Sequence, residues 1–95
     1  MNNVSNMKVL YLNLKKEWYN MIESGDKCEE YREIKPFWEK RLIGKNYTHV
    51  CFIYGYTKRR MTYPITGISV GIGNPKWGAP ENDVFIISFD KNKFN

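Results

Sequence analysis

The sequence predicts a single small α+β domain, mainly β, in which a barrel of about five or six strands packs against one or two short helices. Three observations lead to this fold class. The chain has 95 residues, which is enough for one domain (1–95) and too few for two. Dense or alternating apolar segments typical of strands recur along it, and only two short segments have helical features. The first helix is too short to be stable alone in water, so it must pack on the sheet.

The first strand and helix are the clearest elements. Residues 8–14 alternate, so we expect a strand with Leu10, Leu12 and Leu14 facing the core. The next segment should form an amphipathic helix of about two to three turns, capped by Asn13 and ended by Gly25. Its apolar positions recur at helical spacing and are expected in the core: Leu14, Trp18, Met21 and Ile22.

The remaining elements are predicted from composition and turn residues. Segment 27–33 is charged and extended, and Pro36 opens a short helix over 36–42. Either Phe37 with Leu42 or Trp38 with Arg41 could form the buried face of that helix. Strands are expected at 48–56, 63–73 and 84–90, with a turn-rich stretch at 73–83. The ends, 1–6 and 91–95, are polar and should be frayed.

Composition narrows the class of protein. Fifteen Lys and Arg residues against ten Asp and Glu give a net charge of +5, which slightly favours a polyanionic partner. Two cysteines and one histidine are too few for a disulfide framework or a structural zinc site, so we expect free thiols, no metal and no cofactor. The start is polar and the apolar runs are far shorter than the ~20 residues of a membrane helix. We therefore expect a soluble, cytoplasmic protein without a membrane partner.

One segment carries the chemistry. Residues 25–32 read Gly-Asp-Lys-Cys-Glu-Glu-Tyr-Arg, which fits Gly-x-Lys-x-x-Glu-x-Arg and lies between a predicted helix and a predicted strand. Glu30 and Arg32 share a strand face, with Cα atoms about 7 Å apart. Lys27 reaches the same side only if the strand is bent or begins after Gly25. A carboxylate beside a guanidinium suits a nucleobase edge or a phosphate, although an ion pair on a solvated strand face is the structural alternative.

The segment resembles the signature of the ASCH domain family, relatives of the PUA domain. The resemblance extends to segment 9–24, the aromatic residues at 36–38, and Trp77-Gly78-Ala79-Pro80 before the strand at 84–89. It implies a PUA-like β-barrel with a cleft beside the first helix. In that cleft the motif residues Gly25, Lys27, Glu30 and Arg32 would bind RNA or a nucleotide-like small molecule.

A hydrolase is the alternative function, since family members are also associated with RNA cleavage or with hydrolysis of an acetylated cytidine. Lys27 would then act as a base with a lowered pKa, and Glu30 would orient water or substrate. The acetylcytidine hydrolases of the family have a threonine nucleophile three residues after the motif lysine, and this chain has Glu30 there. That departure disfavours an acyl-enzyme route and leaves ribonuclease or water-mediated hydrolysis open. A protein-binding domain that uses its aromatic surface is a third possibility, and no oligomeric state follows from the sequence.

Two further segments could contact the ligand. Lys58, Arg59 and Arg60 lie between strands with tyrosines nearby, so this basic loop could follow phosphates, or it could be a solvated hairpin tip. Trp77 lies in a loop between two prolines and could be a stacking platform at the cleft mouth or a plug for the open end of the barrel. Cys28, which shares the face of Glu30, is expected to be an inert thiol.

Overall fold

The alternating leucines of the first strand face the core, as predicted. The computed structural model describes residues 6–92, in which strand β1 covers Val9–Leu14 and buries Leu10, Leu12 and Leu14. The frayed ends predicted at 1–6 and 91–95 lie mostly outside the described residues.

Helix α1 covers Lys16–Ser24 and buries Ile22, as predicted, together with Tyr19 in place of the predicted Trp18. Tyr19 and Ile22 are buried, while Trp18 is only half-buried. The difference arises because the Tyr19 ring packs against Tyr54, with ring centroids 5.2 Å apart. The predicted cap at Asn13 is wrong: Asn13 is still part of β1, and the helix begins after Lys15 without a side-chain cap.

Strand β2 covers Glu29–Arg32, and helix α2 covers Pro36–Leu42 with the proline in its first turn. Leu42 is buried and Trp38 is half-buried, whereas Phe37 and Arg41 are exposed. Neither predicted pairing of faces is therefore correct. Trp38 and Leu42 share the inner face because they are four residues apart, one helical turn.

Strand β3 covers His49–Tyr54, β4 covers Arg60–Gly71 and β5 covers Val84–Phe89. A short 3₁₀ helix, Pro75–Trp77, interrupts the turn-rich connection between β4 and β5. Strand β4 begins three residues earlier than predicted. Arg60 is therefore a strand residue, paired with Ile53, and not part of a loop.

The five strands form one mixed sheet in the order β1-β3-β4-β5-β2. Strands β1 and β3 are parallel and the other three pairs are antiparallel. Strand β4 pairs with β3 through its first part and with β5 through its second, with an irregular register between Ile65 and Gly67. Within residues 6–92 no ladder joins the edge strands β1 and β2, so the predicted closure into a barrel is not observed. A side chain bridges these edges instead, since Arg32 Nη2 donates to the Asn13 carbonyl at 3.2 Å.

The core lies where the strands meet α1. It combines the three leucines of β1 with Tyr19 and Ile22 of α1, Leu42 of α2, and aromatic residues of β3, β4 and β5. The rings of Phe52, Tyr63 and Phe89 contact one another at centroid distances of 4.9–6.5 Å. This is a small α+β protein, mainly strand. Neither helix of the described range is long and apolar enough to cross a membrane.

Candidate functional site

The site begins at the turn that ends α1. Gly25 has φ 92°, in the left-handed region, and its N–H donates to the Ile22 carbonyl at 3.1 Å. The Lys27 N–H then donates to the Met21 carbonyl at 3.0 Å, which folds the chain back against the helix. Strand β2 begins only at Glu29, so the direction of the Lys27 side chain is not set by the alternation of side chains along the strand. Its side chain consequently enters the interior and is only 1% exposed.

Lys27 is held by polar and aromatic neighbours. Its Nζ donates to the Trp77 carbonyl at 2.7 Å and lies 3.2 Å from Glu30 Oε1. The same nitrogen lies 5.3 Å from the ring centroid of Trp18 and 4.8 Å from that of Tyr31. Burial lowers the pKa of Lys27, and the Glu30 carboxylate opposes that shift. Lys27 thus ties β2 to the loop that carries Trp77.

Glu30 and Arg32 form the second half of the cluster. Glu30 is 6% exposed, and its Oε2 lies 3.0 Å from Arg32 Nη2. The Arg32 guanidinium lies over the Trp38 ring, with Cζ 5.1 Å from the centroid. Burial lowers the pKa of Arg32 and Glu30 raises it, and an arginine remains a cation throughout the accessible pH range. Among residues 6–92, Arg32 Nε is buried without a hydrogen-bond partner.

The charged ends of Lys27, Glu30 and Arg32 lie together, but they do not line one pocket as predicted. A pocket of about 290 Å³ has Glu30 and Arg32 in its wall, together with Trp18, Trp77 and other residues near the start of α1. Lys27 does not line this pocket. Lys27 instead forms an ion pair with Glu30 in the protein interior. The three side chains together carry one net positive charge.

The loop that carries Trp77 is packed tightly against the site. A Cβ added to Gly73 would lie 2.6 Å from Tyr31 Cε1, and one added to Gly78, at φ 95°, would lie 2.9 Å from Trp18 Cζ2. The Tyr31 hydroxyl donates to Glu29 Oε1 at 2.8 Å and accepts from the Asn74 N–H at 3.0 Å. Burial raises the pKa of Tyr31 to about 12. The loop is thus fixed at several points, and it holds Trp77 at the pocket.

Trp77 has a mixed environment. Its half-buried side chain packs against a small apolar cluster of Tyr31, Ala79 and Val84, and it also lines the pocket. The strands of the described residues do not close into a barrel whose open end it could plug. Its position at the pocket allows the stacking role, which stays a prediction.

The basic segment 58–60, whose last residue belongs to β4, is separate from the pocket. Arg59 forms two hydrogen bonds with the Glu23 carboxylate at 2.7 and 2.9 Å, and its guanidinium lies over the rings of Tyr19 and Tyr54. The hydrogen bonds to Glu23 raise the pKa of Arg59. The side chains of Lys58 and Arg60 are exposed, and none of the three basic residues lines the 290 Å³ pocket. Contact between this loop and RNA stays a prediction.

Sequence reasoning missed several residues of the site, among them Asn13, Lys15 and Trp18, which all line the pocket. Helical spacing predicts Trp18 in the core, but it is half-buried and lines the pocket. The Asn13 carbonyl accepts a hydrogen bond from Arg32 Nη2. Only the three-dimensional approach of β1 to β2 brings Asn13 there. Cys28 is exposed and does not line the pocket, and residues 6–92 contain no group of three or more potential metal ligands.

Fold and site together define a small α+β protein with a buried charged cluster beside a polar, aromatic-lined pocket. No protein-family model matches the chain, and no curated protein matches it at a significant level. Function is therefore inferred from the chemistry of the pocket and from the signature in segment 25–32.

Proposed function

We propose that this protein is an ASCH-type domain that binds RNA or a nucleotide-like ligand in the pocket beside α1. The observation that carries the proposal is the Glu30–Arg32 pair in the pocket wall, supported from behind by the buried Lys27. The family assignment is supported by the signature Gly25-x-Lys27-x-x-Glu30-x-Arg32, in which every fixed residue takes part in the turn or the charged cluster.

The pocket has the donors and acceptors that a nucleotide requires. Glu30 can accept from the exocyclic amine of a base, while Arg32 can donate to a ring nitrogen, a carbonyl or a phosphate. Trp18 and Trp77 add aromatic surfaces on which a base can stack. The volume of 290 Å³ is near the lower end of the ~300–1,000 Å³ range of ligand pockets, which favours one nucleoside-sized group.

The energetics of the cluster also favour a binding role. Burying three charged side chains costs desolvation energy, and well-packed apolar residues are often as stabilising as a buried ion pair. The cluster does, however, hold Glu30 between two cations, which fixes the carboxylate before a ligand arrives. Such preorganisation raises affinity because less side-chain freedom is lost on binding.

A PUA-like barrel is the fold that we propose with this assignment. The strand order leaves β1 and β2 as the two edges of the sheet, and the Arg32–Asn13 hydrogen bond connects these edges. A barrel would form if the edges paired further. The charged cluster lies beside that junction.

A hydrolase is the second candidate, and one observation favours it. Burial lowers the pKa of Lys27, as a lysine general base would need. Its Nζ nevertheless donates to the Trp77 carbonyl and is almost fully enclosed, so catalysis would require the Trp77 loop to move. We therefore give binding precedence and include turnover as an arm of the test.

The test is a calorimetric titration of wild-type protein with each of three kinds of probe: the four ribonucleoside 5′-monophosphates, N4-acetylcytidine and single-stranded RNA hexamers. The Glu30→Gln variant keeps the shape of the side chain and removes its charge. Loss of an acceptor for a buried donor costs about 1–3 kcal/mol, so affinity should fall roughly 5- to 150-fold. The matched control is Glu33→Gln, which changes the largely exposed carboxylate three residues away.

Chromatography of the same mixtures after incubation measures turnover. Binding that is weakened by Glu30→Gln and not by Glu33→Gln, without product, supports the binding function. Product that depends on Lys27 and Glu30 supports the hydrolase. Failure of every probe to bind, or equal affinity in both variants and wild type, contradicts the proposal.

A further inference from the structure

A second groove, of about 460 Å³, adjoins the pocket between β1 and α2. We call it the β1–α2 groove. Asn13 and Arg32 line both the groove and the pocket, so the two spaces adjoin at these residues. The Arg32 guanidinium approaches Glu30 at the pocket and Trp38 in the groove. One end of a ligand that Arg32 binds in the pocket would therefore lie next to the groove.

Exposed aromatic rings form much of the groove surface. Tyr11 is 60% exposed and Phe37 is 50% exposed, although both are large apolar side chains. Phe37 contacts Trp38 edge to face, with centroids 4.9 Å apart. These rings offer stacking surfaces to a planar ligand, and bases of any identity can use them.

The charges of the groove have one sign. Arg41 lies over Phe37, with its Cζ 3.5 Å from the ring centroid, and its Nη1 donates to the Phe37 carbonyl at 3.0 Å. Arg32 is the other charged residue in the lining, which contains no carboxylate. Two guanidinium groups among exposed rings suit a phosphate backbone with unstacked bases.

We infer that the β1–α2 groove binds the nucleotide adjacent to the one in the pocket, so that the ligand is a single-stranded RNA segment of at least two nucleotides. This inference rests on the proposed function of the pocket. Arg32 would lie between the two nucleotides, Phe37 would stack the second base, and Arg41 would contact a phosphate. The absence of carboxylates in the lining favours this polyanion over a neutral or basic peptide.

The test compares one-nucleotide and six-nucleotide probes on variants of the groove. The probes are the adenosine, cytidine and uridine 5′-monophosphates and the corresponding single-stranded RNA hexamers. Phe37→Leu removes the ring and keeps apolar bulk, and Arg41→Gln removes the charge. The matched controls are Ile72→Ala, another exposed apolar residue, and Lys40→Gln, an exposed cation of the same helix that does not line the groove.

We expect wild-type protein to bind a hexamer more tightly than its monophosphate. Phe37→Leu should weaken hexamer binding by roughly 5- to 150-fold, the usual effect of losing one base stack. Arg41→Gln should lower the slope of log affinity against log salt by about 0.7. Neither variant should change monophosphate binding, and the controls should behave as wild type.

The outcomes separate this inference from the proposed function. If Glu30→Gln weakens monophosphate and hexamer alike while Phe37→Leu and Arg41→Gln leave hexamer binding unchanged, the pocket stands and the groove inference is wrong. If no probe binds, both are wrong. If an acidic decapeptide binds in an Arg41-dependent manner and the hexamers do not, the groove is a peptide site and the inference is overturned.

Discussion

Replacing Lys27 by methionine tests whether the buried charged cluster is a coupled unit. Methionine is long and flexible enough to fill most of the space; it removes the ammonium group and has sulfur in place of the δ-methylene. The Trp77 carbonyl would lose its donor, which costs about 1–3 kcal/mol for a buried group. Glu30 would lose one of two cationic partners, but it would keep Arg32 at 3.0 Å, so the loss is less than the 3–5 kcal/mol of an isolated broken pair.

The net expectation for Lys27→Met is a loss of about 2–4 kcal/mol in the free energy of unfolding, because relief from burying an ammonium group offsets part of the damage. Urea denaturation measures this value. A double-mutant cycle with Glu30→Gln isolates the interaction between the two side chains, for which we expect a coupling of about 1–3 kcal/mol.

The chain provides a matched control for that cycle. Lys35 Nζ lies 3.0 Å from Glu33 Oε1, nearly the same distance as in the buried pair, but these side chains are 52% and 75% exposed. The cycle of Lys35→Met with Glu33→Gln should give a coupling below about 1 kcal/mol, as exposed pairs do. Equal couplings in the two cycles would refute the reasoning, since burial would then add nothing to the interaction.

Three further predictions follow from the structure. Gly78→Ala forces φ 95° on a residue with a Cβ and brings that atom within 2.9 Å of Trp18. The substitution should lower the free energy of unfolding by about 1–2 kcal/mol or more and change tryptophan fluorescence. Unchanged stability and emission would contradict the packing of this loop. Tyr31 should ionise with a pKa of about 12, so its contribution to stability is complete below pH 10 and is lost as pH rises towards 12. The difference in phenolate absorbance between wild type and Tyr31→Phe measures this titration. Ionisation near pH 10 would contradict the burial of Tyr31. Neutralising Lys58 and Arg60 should lower the salt slope of RNA binding by about 0.7 for each phosphate contact, and an unchanged slope would make the basic loop a solvated turn.

Local patterns predicted the elements that surround the site. The spacing of Leu10, Leu12 and Leu14 indicates a strand with one buried face, because alternate side chains of a strand point to opposite sides. Gly25 indicates the end of α1, because a left-handed residue is needed there. Glu30 and Arg32 are two residues apart in a strand, which predicts that their side chains lie on one face and can form an ion pair. The ion pair is present in the structure.

Contacts between distant segments could not be predicted in this way. Trp18 and Tyr19 are neighbours in sequence, and the choice of which one enters the core depends on the position of Tyr54 on β3. The Lys27–Trp77 contact joins residues 50 positions apart, and no local pattern encodes it. The pairing of β1 with β3, which sets the edges of the sheet, is likewise a property of the whole fold.

The central claim is that the pocket between Glu30, Arg32 and the two indoles binds a nucleotide, and Arg32 Nε gives the most direct measurement. This N–H is buried without a protein partner in residues 6–92, and its ¹H–¹⁵N resonance can be followed by NMR. Adding an equimolar mixture of the four ribonucleoside 5′-monophosphates should shift this resonance and the indole N–H signals of Trp18 and Trp77. The shifts should occur at a lower nucleotide concentration in wild type and in Glu33→Gln than in Glu30→Gln. If all three signals stay in place up to millimolar nucleotide, or if they shift equally in Glu30→Gln, the pocket is not a nucleotide site.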